Sequence, residues 1–483
     1  MDRDRIYGIE FDEAVPSGGE KRILDACGLM NDYVVGDRFQ NGGKNDFDLA
    51  YPFGAIRLCC VTLKGGSRRI IYEGDPEFRR TGEAGNVMAE IPLFYSRREK
   101  QGTVERWMVS GVCHPGFAPE PVFVRDGRIL ERVYVGVYNT TQRGKDLFSA
   151  AGDFPDVCKT PLDFSRAYTA AGYTPYDLAM RLCLQRLMVI EFGTRYLKKH
   201  LGSVGSLRYF YQMNPRVEIK AMAPNRVTIF RKSWGKCFAP GHEIGFGHQE
   251  HDRSIHASIL RVEENPQDPE MVDVTYDGPD LRDRIRPGTD AAFGIPQKNG
   301  LSDALSYHTG RLDMRCLDMA WAYLVSPFRW RGIENVWGNV WEYTEGIRVR
   351  GLRYYVTFEP ALYEADLSFW QELCFSAPLQ DRLADGAKGL WIDAMGFDPA
   401  LPLVLLPAHA VGNWQTHGEY YDSAVYTYGG RTFDNLPIPV DEPWRCVSGG
   451  GFDHSLFGSL FTLRAWIDED TAEWINSSRV CLR

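Results

Sequence analysis

The chain has 483 residues, a formal net charge of −9 and an aromatic content of 13%. This length suffices for about two or three domains, and the acidic balance argues against a nucleic-acid partner, because phosphate recognition requires a basic surface. Eleven cysteines are scattered without a CxxC pair, which excludes a disulfide framework and a cysteine zinc site and predicts buried free thiols.

The N-terminus is charged from its second residue and shows no apolar core of a signal peptide. The longest apolar runs, such as residues 401–411, are too short and too often interrupted by proline to span a bilayer. We therefore expect a protein that is made and folded in a cytoplasm and that inserts into no membrane.

The first 140 residues predict short strands. Residues 6–11 alternate between apolar and polar side chains, and residues 55–63 form an apolar run of strand length. Three further β-rich stretches follow in residues 85–140, separated by proline- and glycine-containing turns such as 113–121.

The clearest helical patterns lie between residues 161 and 200. A short amphipathic run ends at Gly172, and a longer one covers residues 176–200. Pro175 suits the start of the second helix. Its last turn would carry three basic residues that favour the helix dipole, namely Lys198, Lys199 and His200.

Residues 201–295 predict a small β insertion of short strands and polar turns. This segment also contains four histidines among several carboxylates: His242, His248, His251 and His256. Histidine and carboxylate are zinc and iron ligands, so a metal site is one interpretation. The spacing fits no ligand motif, however, and favours a solvated polar loop.

Asp303, Ser306 and His308 supply the residue types of a hydrolase triad. A GxSxG nucleophile elbow is missing, and closeness in sequence does not establish triad geometry. A structured loop before a short helix at residues 313–324 is the preferred interpretation.

The most distinctive stretch is residues 331–349, which place Gly338 and Asn339 between Trp337 and Trp341. Glycine and asparagine tolerate a positive φ, so this step predicts a tight turn with large aromatic rings packed on both sides. The alternation of Tyr343, Ile347 and Val349 that follows predicts a strand. On these residues alone, the stretch is an aromatic core hairpin.

The string from Gly338 to Tyr343, GNVWEY, resembles the signature of the formylglycine-generating (sulfatase-modifying-factor) branch of the C-type-lectin fold. The longer string RGIENVWGNVWEYTEGI is similar to phage and prophage tail proteins that use this fold to display a variable ligand-binding face. Near the C-terminus, VSGGGF (with Gly449 and Gly450) and SSRVCLR resemble further elements of the same family. The N-terminal segments, among them YGIEFDE and YPFGAIRLC, resemble the start of the same tail proteins.

The resemblance implies an α+β fold class, with a C-type-lectin-like domain at residues 85–483. Residues 1–84 would be a β-rich attachment or oligomerisation module, residues 201–295 an insertion, and residues 446–483 the variable ligand-binding region. It also implies a tail-fibre or tail-tip protein that binds a host-cell surface receptor, either a protein or a glycan. Other virion proteins would be partners, the location would be the virion tail, and a trimer would be expected by analogy.

The chemistry of the related enzymes does not carry over to this sequence. The aerobic formylglycine generators need a cysteine pair in the C-terminal segment, but residues 447–480 contain no cysteine, and Cys446 and Cys481 lie outside the expected positions. The histidine iron site of the sulfoxide-synthase relatives cannot be assembled either. We therefore expect a binding protein without enzymatic activity or cofactor, with a structural calcium left open. The alternatives are a sulfatase-modifying-factor-like enzyme and a non-viral, retroelement-diversified bacterial surface protein.

In the variable proteins of diversity-generating retroelements, mutagenesis converts AAY codons into NNY codons, which never encode Trp, Glu, Gln, Lys or Met. Residues 452–465 avoid these five types, which makes Trp466, Glu469, Glu473 and Trp474 fixed positions. The resemblance assigns ligand binding to eleven residues: Asp453, His454, Ser455, Phe457, Ser459, Thr462, Arg464, Trp466, Asp468, Asp470 and Asn476.

We expect some side chains of this region to be exposed and others to be buried. Five charged residues should be exposed, namely Asp453, His454, Arg464, Asp468 and Asp470. For four apolar residues both a core role and a binding role remain open, namely Phe457, Leu460, Phe461 and Leu463. An aromatic surface stretch of Tyr420, Tyr421, Tyr426 and Tyr428 would flank the face.

Overall fold

The computed structural model describes the chain except for residues 33, 36–44, 66, 145, 203–216, 231–239, 241–242, 249–254, 279, 313–326, 379–389, 413–419, 428–431, 434–435, 438–441, 452–457 and 474. The predicted helix at 313–324 lies outside the described residues. So do eight of the residues singled out above: His242, His251, Tyr428, Asp453, His454, Ser455, Phe457 and Trp474.

The predicted α+β class is wrong, because the fold is predominantly β. The described residues contain three α-helices, α1 (Pro161–Ala170), α2 (Leu178–Phe192) and α3 (Lys198–Leu201), together with short 3₁₀ turns. Helical periodicity is confined to this one part of the sequence. Elsewhere, apolar residues come in short alternating runs punctuated by 48 glycines and 27 prolines, a pattern that forms strands and turns.

Strands dominate the N-terminal third. Those described up to residue 175 are β1 (Ile6–Asp12), β2 (Lys21–Leu24), β3 (Val34–Val35), β4 (Arg57–Lys64), β5 (Ser67–Tyr72), β6 (Asn86–Pro92), β7 (Tyr95–Gln101), β8 (Val104–Ser110), β9 (Ala118–Pro119), β10 (Val124–Arg125), β11 (Arg128–Ile129), β12 (Arg132–Gly136), β13 (Thr140–Arg143), β14 (Asp146–Ser149) and β15 (Thr174–Pro175).

A closed barrel follows, formed by β16 (Val217–Ala223), β17 (Arg226–Phe230), β18 (Glu243–Gly247), β19 (Ile255–Glu264), β20 (Met271–Asp277) and β21 (Ala291–Gly294). Buried apolar side chains such as Ile219, Phe246 and Val274 fill its interior. The described residues of the predicted insertion at 201–295 therefore show the β character that the sequence predicted.

The remaining strands are β22 (Gly310–Arg311), β23 (Phe328–Trp330), β24 (Ile333–Glu334), β25 (Trp341–Arg350), β26 (Arg353–Val356), β27 (Gln371–Ser376), β28 (Leu390–Met395), β29 (Pro407–Val411), β30 (Ala424–Thr427), β31 (Thr432–Phe433), β32 (Leu436–Pro437), β33 (Trp444–Ser448), β34 (Leu463–Ile467), β35 (Asn476–Ser477) and β36 (Val480–Leu482). The strand predicted after the Gly338–Asn339 turn is confirmed as β25.

Three sheets organise the body of the protein. Their strand orders are β2-β1-β8-β7-β9, β15-β36-β12-β6-β4-β5 and β27-β26-β25-β33-β34-β30-β28-β29, with β35 paired to β25 at the side of the last. Strand β1 pairs with β8, so that Tyr7 lies opposite Val109, and β4 pairs with β6. The first two sheets thus each contain strands from both sides of residue 84.

Helix α2 is the centre of the largest hydrophobic core. All of its 15 residues are buried. The Asp177 carboxylate caps its first turn by accepting a hydrogen bond from the Met180 amide at 2.9 Å. The helix ends earlier than predicted, because Gly193 adopts a left-handed φ of +67°. The basic residues expected in its last turn therefore belong to α3. No helix among the described residues has the length and apolar character that a membrane span requires.

Candidate functional site

The two segments that carry the resemblance lie side by side in the large sheet. Strand β25 pairs antiparallel with β33, placing Glu342 opposite Ser448 and Tyr343 opposite Val447. Strand β35 pairs with β25 in parallel, with Trp341 next to Asn476. We refer to this arrangement of β25, β33 and β35, with the turns that join them to their neighbours, as the frame. It positions the whole C-terminal segment.

The Trp337–Trp341 turn joins two separate hydrophobic clusters. Trp337 belongs to the core around α2, whereas Trp341 belongs to a second core. Gly338, between them, has a φ of +96°, which glycine adopts without strain. The turn and the aromatic core predicted from the sequence are therefore confirmed, with rings on both sides of the turn. The predicted hairpin is wrong, because β24 before the turn pairs with β23, whereas β25 after it pairs with β26, β33 and β35.

Gly449 and Gly450 allow the C-terminal segment to approach Trp337 closely. Both have positive φ, +87° and +81°, and the Gly338 amide donates a hydrogen bond to the Gly450 carbonyl at 3.0 Å. A Cβ atom at position 450 would lie 2.4 Å from the Gly458 Cα. Two chain segments thus cross where only glycine fits.

The Asn339 side chain holds a neighbouring loop by hydrogen bonds to the main chain of Gln297. Its Oδ1 accepts a hydrogen bond from the Gln297 amide at 2.7 Å, and its Nδ2 donates to the Gln297 carbonyl at 3.0 Å. Asn339 is 1% exposed. A side-chain amide is well suited to this role because it both donates and accepts.

Arg479 connects the C-terminal segment to the frame with all five of its N–H groups. Nε donates to Glu342 Oε1 at 2.8 Å. The two terminal nitrogens donate to four main-chain carbonyls at 2.9 to 3.1 Å, namely those of Gly136, Val137, Glu334 and Asn335. Burial raises the pKa of Glu342, and the charge and hydrogen bond of Arg479 oppose this shift.

Main-chain contacts also hold Gly449, Leu460 and Thr462. From α2, Arg181 donates to the Thr462 carbonyl at 2.9 Å, and Gln185 donates to the Leu460 carbonyl at 3.1 Å. The Gly449 amide donates to the same Thr462 carbonyl at 3.1 Å. None of these contacts depends on which side chain the segment carries.

The structure divides the eleven predicted ligand-binding residues into three groups. Four lie outside the described residues: Asp453, His454, Ser455 and Phe457. The Trp466 backbone is part of β34, but its side chain is not described. Of the other six, two are exposed, Asp468 and Asp470, and four are buried, Ser459, Thr462, Arg464 and Asn476.

The predicted exposure of Arg464 is wrong. Its side chain is 6% exposed and lies 2.7 Å from Glu473 Oε1, with its guanidinium 5.9 Å from the centre of the Trp341 ring. A carboxylate nine residues away allows this charge to be buried. Ser459, Thr462 and Asn476, each 0% exposed, are likewise inaccessible to a ligand in this structure.

Other apolar residues of the region belong to the core. Leu460, Phe461 and Leu463 are buried, which decides the open question for them in favour of packing. The predicted tyrosine surface is wrong for Tyr421 and Tyr426, which are 0% and 5% exposed.

The exposed part of the described C-terminal segment is the acidic turn, residues 468–473. Asp468 Oδ1 accepts hydrogen bonds from the Asp470 amide at 3.1 Å and the Thr471 hydroxyl at 2.6 Å. Glu469 lies 3.4 Å from the buried Arg445 guanidinium. The exposed carboxylates of Asp468 and Asp470 therefore sit on an ordered turn directly after β34.

Neither Cys446 and Cys481 nor the triad residues form a reactive site. Burial raises the pKa of Cys446 to about 12 and also raises that of Cys481, so both thiols are held in the unreactive protonated form. His308 Nε2 lies 3.0 Å from Asp48, while Asp303 pairs with Arg80 at 2.8 Å. Asp303, Ser306 and His308 are thus not linked as a triad. The described residues contain no group of three or more side chains that could hold a metal ion.

Two surface clefts that the sequence analysis did not predict lie away from the frame. The first cleft, of about 720 Å³, is lined by Asp48, Tyr72, Arg80, Asp303, His308 and Arg331, among others. The second, of about 760 Å³, is lined by Tyr51, Glu90, Tyr95 and Arg132, among others. Gly54 and Arg57 line both. Asp303 and His308 were considered together as triad candidates, but the other lining residues come from distant segments, so no spacing motif in the sequence could have identified the clefts.

No family model matches the chain, and no curated protein matches it either.

Proposed function

We propose that this chain is a receptor-binding protein of a phage or prophage tail, and that residues 446–483 present its ligand-binding loops on a rigid β frame. The proposal rests on the resemblance of residues 331–349 and 444–483 to tail proteins. The observation that best supports it is the main-chain anchoring of Gly449, Leu460 and Thr462, which lie on either side of residues 452–457. These anchors do not depend on the side chains that residues 452–457 carry.

Within this proposal, the described residues divide the C-terminal segment by role. The segment is held to the frame by Arg479, Arg464, Gly449 and Gly450. Within the same segment, Asp468 and Asp470 face solvent. Residues 452–457 connect two anchored positions and are the proposed site of variation. Affinity would come from a few contacts for each copy and from avidity across the copies on a virion, which we take to be a trimer by analogy.

The exposed and buried residues provide a direct test. We would label the protein fluorescently and measure its binding to a panel of intact bacterial strains, using a double variant, Asp468→Asn with Asp470→Asn, and a second, Asp453→Ala with His454→Ala. We expect binding to fall by about tenfold or more in at least one variant, equivalent to about 1.4 kcal/mol, with an unchanged denaturation midpoint. Asp126→Asn is the matched control, because Asp126 is 76% exposed on a different part of the chain and lines neither cleft.

Two results would contradict the proposal. One is that both variants bind every strain as well as the unmodified protein does. The other is that binding falls only together with stability, which would assign these residues to the frame. Arg464→Ala serves as the reference for that second behaviour, since its buried ion pair makes a loss of stability the expected effect.

Diversification by a retroelement is a separate part of the proposal and has its own measurement. Sequencing the codons of residues 444–483 in many sister isolates should show substitutions confined to residues 452–478 and concentrated at NNY codons. An invariant segment would leave a receptor-binding protein of fixed specificity.

A further inference from the structure

The two clefts meet at the segment that contains Gly54 and Arg57, and together they form an extended depression on the surface. Each has a volume within the range of small-molecule sites, roughly 300–1,000 Å³. A ligand that passes over Arg57 from one cleft to the other would therefore be longer than a single small-molecule site accommodates. This surface is separate from the frame, and the inference does not depend on the function proposed above.

Arg57 forms the ridge between the clefts. Its side chain is 53% exposed, lies 3.9 Å from the centre of the Tyr72 ring, and pairs with Glu90 at 2.7 Å. Arg132, 42% exposed, approaches the same carboxylate at 3.5 Å. Glu90 itself is only 4% exposed. Two guanidinium groups are thus held at the surface by a carboxylate beneath them.

The first cleft places hydrogen-bond donors directly beside acceptors. Arg80 donates to Asp303 at 2.8 Å, and Asp48 Oδ1 lies 3.0 Å from His308 Nε2 and 3.3 Å from the Arg331 guanidinium. The carboxylate oxygens accept and the guanidinium groups donate. Burial opposes ionisation of Asp48, but the hydrogen bonds from His308 and Tyr307 and the charge of Arg331 hold its pKa below the usual value.

Aromatic rings accompany these charged pairs. The Tyr307 and His308 rings lie 4.0 Å apart in the first cleft, and Tyr95 lines the second. Tyrosine supplies a flat apolar face together with a hydroxyl group. Because ion pairs and hydrogen bonds already fix the charged side chains, a ligand would meet a largely preordered surface, which lowers the entropy lost on binding.

This pattern distinguishes between classes of ligand. A phosphate or carboxylate only accepts hydrogen bonds from its surroundings, so the carboxylates of Asp48, Asp303 and Glu90 would oppose it. An apolar ligand would remove the charged pairs from water without replacing their hydrogen bonds. A sugar hydroxyl both donates and accepts, and a sugar ring has an apolar face that can lie on an aromatic side chain. We infer that the two clefts form a binding groove for an oligosaccharide.

The test is the binding of the full-length chain to a microarray of neutral and acidic oligosaccharides, followed by titration with the glycans that bind. The variants are Arg57→Ala, on the ridge, and His308→Ala, in the first cleft. Arg69→Ala is the matched control, because Arg69 is 67% exposed and ion-paired but lines neither cleft. After Arg57→Ala, the Tyr72 and Tyr134 hydroxyls would still donate to Glu90, each at 2.9 Å, so we expect this variant to fold.

We expect the unmodified protein and Arg69→Ala to bind the same glycans. Arg57→Ala and His308→Ala should weaken that binding by about tenfold or more. An array on which the unmodified protein binds nothing would overturn the inference, and so would binding that survives both cleft substitutions. The Asp468→Asn and Asp470→Asn double variant separates the two proposals, since it should keep glycan binding in the groove whatever its effect on binding to cells.

Discussion

Replacing Arg479 with methionine tests whether the frame depends on one buried cation. Methionine keeps an unbranched apolar stem but supplies no N–H group. The substitution removes five hydrogen bonds, one to Glu342 and four to main-chain carbonyls. Glu342 is 3% exposed and would keep one hydrogen bond, from Asn139 at 2.7 Å.

The expected loss of stability follows from the Glu342 carboxylate, which would lose its positively charged partner. Removing one partner of a buried ion pair costs about 3–5 kcal/mol, and the carbonyls that lose their donors add to this cost. Burial already raises the pKa of Glu342 against the opposing effect of Arg479, so the pKa should rise further in the variant. Protonation would then remove part of the penalty, and the loss of stability should be smaller at pH 5 than at pH 8.

Urea denaturation followed by tryptophan fluorescence measures this difference. The matched control is Arg69→Met, because Arg69 pairs with Glu77 and both side chains are more than half exposed; we expect it to change the stability by about 1 kcal/mol or less. The loss of stability caused by Arg479→Lys should lie between those caused by Arg479→Met and Arg69→Met, since lysine keeps the charge but has three donors instead of five. The reasoning is refuted if Arg479→Met costs no more than the surface control.

Three further predictions concern other parts of the frame. Gly450→Val should lower the free energy of unfolding by about 2 kcal/mol or more, because it adds a Cβ against the Gly458 backbone at positive φ; an unchanged urea midpoint would contradict this. Trp341→Ala should cost about 3–5 kcal/mol, whereas Phe369→Ala, at a site 68% exposed, should stay within about 0.5 kcal/mol; equal effects would contradict the core assignment. Burial raises the pKa of Glu334 from 4.5 to about 7, so stability should fall by about 3 kcal/mol as the pH rises through this interval. Glu334→Gln cannot ionise and should lack this slope in thermal melts at pH 5 to 8.

The sequence predicted those parts of the structure that depend on neighbouring residues. The glycine between Trp337 and Trp341 indicated a turn, and the alternation after it indicated β25. The cap of α1 is equally local, since Thr160 and Asp163 form reciprocal hydrogen bonds at its first turn, but it was not among the predictions. The predicted length of α2 was wrong because the helical pattern was continued across Gly193.

Long-range pairing accounts for most of what the sequence could not predict. Arg464 was assigned to the surface because arginine is seldom buried, yet a carboxylate within reach makes it part of the core. The resemblance implied an α+β protein, but the alternating runs outside residues 161–200 assembled into sheets that join distant segments. The groove is the extreme case, because Arg57, Arg132 and His308 meet only after the chain has folded.

Anchoring through main-chain atoms explains how a frame could keep its shape while its loops change. The donors on Arg181 and Gln185 bind carbonyls, and a carbonyl is present whatever residue occupies the position. The glycines at positions 338, 449 and 450 act through the absence of a side chain, so they restrict their own positions and leave the neighbouring ones unrestricted. Residues that pack or pair through specific side-chain groups, such as Trp341, Glu342 and Arg479, lie outside residues 452–457. A chain built in this way confines its dependence on sequence to the frame, which is the arrangement that a variable binding segment requires.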